Sequence, residues 1–148
     1  MQKGALLLIG LALALILGGT ARAQASQVVW SGLVIANNVA QPDEIPQELN
    51  RIEGRLKAWF GYNQFKVIGQ SQKTLVTGTE DWLASSKYFS LHVDSKSETK
   101  AGYLVNLKLF QEKNLLLETE AKLSKASPLV IKGPQVGDGQ LLLLLVVQ

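Results

Sequence analysis

Cysteine is absent from the 148 residues, histidine occurs once, as His92, and proline only four times. The first absence excludes disulfide frameworks, thiolate metal sites and cysteine nucleophiles, and the second excludes any site built on two histidines. Charge of one sign is scarce as well. Fifteen basic residues face 12 acids for a formal net charge of +3, and Lys3 and Arg22, two of those bases, lie in the first 25 residues. Lysines 87, 96, 100 and 108 stand singly among acids and serines, without the clustered basic stripe that nucleic acid requires. No nucleic-acid partner is expected. Apolar runs long enough to cross a bilayer are missing too, since residues 5–17 and 141–147 both fall short of the ~20 needed.

What is present begins with an address. Lys3 supplies a positive start, residues 5–17 (ALLLIGLALALIL) form an apolar core, and Gly18-Gly19 break it. Ala23-Gln24-Ala25 then offers small residues at the two positions that a signal peptidase must fit. Residues 1–25 read as a cleaved signal peptide, with cleavage after Ala23 as the alternative site and an uncleaved anchor as the alternative role. The expected location is the periplasm or the medium, with no stable membrane span after processing. One domain is expected over 26–148, and without disulfides it must stand on its core alone.

Two periodicities divide that domain. Residues 27–36 (QVVWSGLVIA) are apolar on both alternating phases, which predicts a strand buried on two faces. From Asp43 to Phe60 the period becomes helical, with Ile45, Leu49, Ile52, Leu56, Trp59 and Phe60 on one stripe. Asp43 is read as its cap, Pro46 as a first-turn residue and Gly61 as its stop, while Gly54 faces away from the stripe. Beyond Gly61 the period is two. Strands are expected at 64–70, 73–78, 87–94, 101–111, 114–123, 128–132 and 139–147. Tyr103, Val105, Leu107 and Leu109 pair through a short turn with Leu115, Leu117, Thr119, Ala121 and Leu123, opposite a wet face of Glu118, Glu120 and Lys122. The apolar run Leu141–Val147 reads as a central, doubly buried strand, with a pairing edge as the alternative. One helix followed by consecutive hairpins predicts an α+β fold, with an amphipathic helix packed on a mostly antiparallel, curled β-sheet.

Few residues carry chemistry. Ser90, His92 and Asp94 share one strand face at ~6.6–7 Å intervals and are the right types for nucleophile, base and orienter. A histidine standing upright between two strand neighbours addresses both poorly, and no oxyanion-hole loop accompanies them, so no catalytic residue is assigned. Gly133-Pro-Gln-Val-Gly137-Asp138-Gly139 lacks the lysine and the following helix of a phosphate loop and reads as a hairpin loop. Asp138 alone offers too few oxygens for calcium. The acid pairs Asp43-Glu44 and Glu80-Asp81 read as cap and turn. No metal or other cofactor is expected. Trp30 and Trp59 fall on apolar phases and are expected in the core, whereas Trp82 lies in a loop-like stretch. The candidate binding residues are therefore Trp82, Gln135 and Asp138.

The signal followed by a Leu-rich helix running into Trp59-Phe60-Gly61-Tyr62-Asn63-Gln64-Phe65-Lys66-Val67-Ile68-Gly69, a string of strands, and Leu129-Val130-Ile131-Lys132-Gly133-Pro134 before a final strand resembles small exported bacterial proteins of uncharacterised function. That resemblance implies export and fold, and it brings no catalytic residues with it. The expected function is a non-catalytic envelope or secreted module that binds a protein or polymer partner. The alternative is a small secreted hydrolase using carboxylates or the Ser90, His92, Asp94 face.

Overall fold

The computed structural model describes residues 28–148, so the expected leader over 1–25 lies outside the described residues. Eight antiparallel strands form two four-stranded sheets. The first sheet holds β1 (Val28–Asn37), β2 (Gln64–Thr74), β7 (Leu129–Val136) and β8 (Gly139–Val147) in the order β2-β1-β8-β7. The second holds β3 (Glu80–Ser85), β4 (Phe89–Thr99), β5 (Gly102–Gln111) and β6 (Asn114–Leu123) in chain order. A 3₁₀ segment (Gln47–Ile52) continues into α1 (Glu53–Phe60).

Three layers follow from the burial. Val29, Leu33, Leu141, Leu143 and Leu145 of the first sheet meet Leu91, Val93, Val105, Leu107 and Leu109 of the second to form the larger core. On the other face of the first sheet, Trp30, Val34, Leu142 and Leu144 meet Leu49, Ile52 and Leu56 of the helical segment. The first sheet is thus covered on both sides, which is why β1 and β8 are apolar on both phases. Leu141 to Leu145 are fully buried in the middle of the sheet. The terminal run is a central strand. The fold is α+β as its periodicities indicate, with the curled sheet divided into two stacked halves.

The helix starts later than its apolar stripe. Ile45 precedes a proline, a placement that disfavours the helical region, and Pro46 itself is extended at φ −54°, ψ 141°. Asp43 is therefore not the cap. Its backbone N–H donates instead to Gln64 Oε1 at 3.1 Å. The end is as expected, since Gly61 adopts φ 69° and donates to the Lys57 carbonyl at 3.1 Å. In the 3₁₀ segment Leu49 and Ile52 align three residues apart, and in α1 the row Ile52, Leu56, Phe60 continues four apart. Trp59 falls in line with Arg55 instead, and at 57% exposure it is a surface residue and no part of the core.

Bulges account for the other departures. Between Leu109 and Phe110 the β5–β6 register slips by one residue, so Leu115 pairs with Phe110 and turns outward. The segment expected at 64–70 runs on as one bulged strand, β2, to Thr74, the rest of the strand expected at 73–78 is loop and turn, and Trp82 sits within a strand, β3. At the β7–β8 hairpin only Gly137 of the three glycines has positive φ. Gly133 and Pro134 lie in β7 at a register slip, where their carbonyls accept from the Gln140 side-chain amide at 2.6 and 3.3 Å.

Candidate binding surfaces

Among the described residues, no other element covers the outer face of the second sheet. Along β4 the inward phase Phe89, Leu91, Val93 is buried, which leaves Ser90, His92 and Asp94 on the outer face, half-buried. Direct cross-strand pairing puts Trp82 of β3 beside His92 and Lys108 of β5 on its other side. The Trp82 and His92 rings meet edge to face at 5.0 Å, and the Phe110 ring of β5 lies 5.7 Å from that of Trp82. Trp82 is therefore held in place by two rings while half of its surface stays in water.

Ser90, His92 and Asp94 share this face without forming a relay. His92 Nε2 lies 3.7 Å from Glu80 Oε1, and its buried Nδ1 has no partner. Asp94 pairs with Lys96 at 2.9 Å, a contact that raises the Lys96 pKa. No hydrogen bond joins the serine, histidine and aspartate among the described residues. Of the acid pairs, Asp81 accepts from Lys73 of β2 at 3.1 Å, and that bond holds its carboxyl below the usual value. The pair ties β2 to β3 across the two sheets. Asp43 and Glu44 lie in the loop before the 3₁₀ segment.

The other two candidates sit elsewhere. Gln135 is on β7 and Asp138 in the turn that follows, both exposed. β7 is the edge of the first sheet opposite β2, whereas β3 packs beside β2. The structure does not bring Trp82 together with Gln135 and Asp138.

A second concave surface had no signal in the sequence. A groove of about 520 Å³ opens between the helical segment and the end of the first sheet, with Trp30 in its floor. The helical segment contributes Gln47, Arg51 and Arg55 to its lining, β2 contributes Gln70 and Gln72, and the stretch between β6 and β7 contributes Lys125. These come from three separate stretches of chain, and only their folding makes them neighbours. No family model, curated protein or solved structure matches this chain.

Proposed function

We propose that the chain is an exported, non-catalytic module that binds a protein or polymer partner through the outer face of the second sheet, centred on Trp82. The observation that carries this reading is the half-exposed indole braced by His92 and Phe110 on an uncovered face. An exposed indole already fixed in orientation loses little rotamer freedom on docking, which is why such residues dominate binding energy at interfaces. Around it stand Ser90, Asp94, Asn106 and Lys108, a polar rim that can hydrogen-bond a partner. The leader expected over residues 1–25 supports export, and the resemblance to small exported bacterial proteins agrees with it.

A hydrolase built on the same face is disfavoured by His92 itself. A base in a relay needs its two nitrogens aimed at nucleophile and orienter. Here Nε2 faces Glu80 and Nδ1 is buried without a partner. Capture of the partner by immobilised protein tests the proposal. Trp82→Ala should weaken capture by about tenfold or more while the melting temperature stays nearly unchanged. His92→Ala should create no loss of hydrolysis on a panel of ester, peptide and glycoside substrates. A hydrolytic activity in the wild type that His92→Ala removes from a folded protein would reverse the assignment.

A further inference from the structure

The groove under the helical segment is lined by cations that the protein itself does not use. Four salt bridges occur among the described residues, and none involves Arg51, Arg55 or Lys125. None of the three makes a side-chain hydrogen bond there either. The only acidic side chain in the lining is Glu48. Two guanidinium groups four positions apart on the helical segment, with a lysine in the lining of the same groove of about 520 Å³, supply the donors and the charge that an oxyanion needs.

The rest of the lining narrows the chemistry. Glutamine amides enter the lining from the helical segment, Gln47, and from β2, Gln70 and Gln72. The Gln70 carbonyl accepts from the Trp30 indole at 3.0 Å, which fixes the side chain and leaves its two amide N–H groups to donate. The far end of the Trp30 ring lies against Gly32, where a Cβ would run into it. Amides that both donate and accept suit hydroxyl groups, whereas a phosphate backbone would need cations in place of them. One turn beyond Arg55 on α1, Trp59 continues the ridge, 57% exposed and with no role in the core. Its indole lies outside the groove lining itself and is exposed for stacking on the C–H side of a sugar ring that extends beyond the arginines.

We propose that this groove, independently of the Trp82 face, binds an anionic saccharide chain, its acid groups on Arg51, Arg55 and Lys125 and its hydroxyls on the glutamine amides, with Trp59 stacking on the neighbouring ring.

The test is a titration of the purified protein, isotope-labelled for amide and side-chain NMR, with a short oligogalacturonate. A sulfated oligosaccharide, the carboxyl-reduced neutral chain, inorganic phosphate and a single-stranded oligonucleotide serve as comparison probes. The expected result is saturable binding of one or both acidic saccharides, with shifts at Arg51, Arg55, Gln70 and the Trp59 indole. The relative strength of the uronate and sulfate chains tells which acid group is preferred. Arg51→Gln with Arg55→Gln should lower affinity by about tenfold or more, and Trp59→Ala should lower it further. All three positions are exposed, so the melting temperature should hold. Trp82→Ala should leave saccharide affinity unchanged, which separates this site from the other face. Binding of the neutral chain, phosphate or the oligonucleotide as tightly as the acidic saccharides would overturn the proposal. So would acidic saccharide binding that the double arginine variant leaves intact, or no saccharide binding at all.

Discussion

At Gly69 the backbone of β2 passes so close to the end of β3 that a Cβ would run into the Ser85 carbonyl. Next to it, the buried Ser31 hydroxyl of β1 lies 2.9 Å from the Ser71 hydroxyl and accepts from the Ala84 N–H at 3.1 Å. Small residues therefore close one corner of the sandwich, and this positions β3 and hence Trp82. Gly69→Ala should force backbone apart and cost about 1–3 kcal/mol in a denaturant titration. A loss below ~0.5 kcal/mol would mean that the corner yields freely. Nothing in the local pattern around Gly69 announces this, because its constraint comes from a strand in the other sheet. Trp59 illustrates the converse. Its place on the apolar stripe is real at a uniform 3.6 residues per turn, but the helical segment is not uniform, and the row that packs is Ile52, Leu56, Phe60.

Among the elements, the helical segment is where sequence and structure agree on the essentials and differ at the start. Leu49, Ile52 and Leu56 are buried on the first sheet, and Glu53 pairs with Lys57 at 3.1 Å. Leu56→Ala should cost about 2–5 kcal/mol, as truncations of fully buried leucines do, and a surface-scale loss would show that the segment does not pack. Gly54 is exposed with open space where a Cβ would be. Gly54→Ala should thus stabilise by up to about 1 kcal/mol in the same titration. The strands were legible where one phase is apolar, as in β4 to β6. β3 was not, because Glu80-Asp81 and Ser85-Ser86 flank only Trp82, Leu83 and Ala84, and that short polar-bounded stretch has the composition of a turn. Bulges are equally silent in sequence, and the one near Phe110 turns Leu115 from the core phase to the surface.

Across the whole molecule, the helical segment, the first sheet and the second sheet form three layers, and the middle one is shielded by the other two. Hydrogen exchange should therefore be slowest along β8 and β1, whose amides are paired on both sides and covered on both faces. Exchange from Leu142 to Leu145 as fast as that of the β6 edge would contradict the layering. No described helix is long and apolar enough to cross a membrane. The double covering of the first sheet was legible in the sequence, from apolar residues on both phases of Val28–Ala36 and Leu141–Val147, whereas the division of the strands into two sheets was not. The surfaces available for binding were legible only in part. Trp82 stood out by its residue type, whereas the groove is assembled from side chains too far apart in sequence to form a motif.

The central claim is that this chain acts by binding through the Trp82 face, and photocrosslinking in the producing cells tests it most directly. A photoreactive phenylalanine derivative replaces Trp82 in one variant and Lys66, exposed on β2, in another. The account predicts a partner adduct, a discrete protein band or a high-mass polymer smear, from position 82 and none from position 66. Equal labelling from both positions, or none from position 82 in a folded and exported protein, would contradict it.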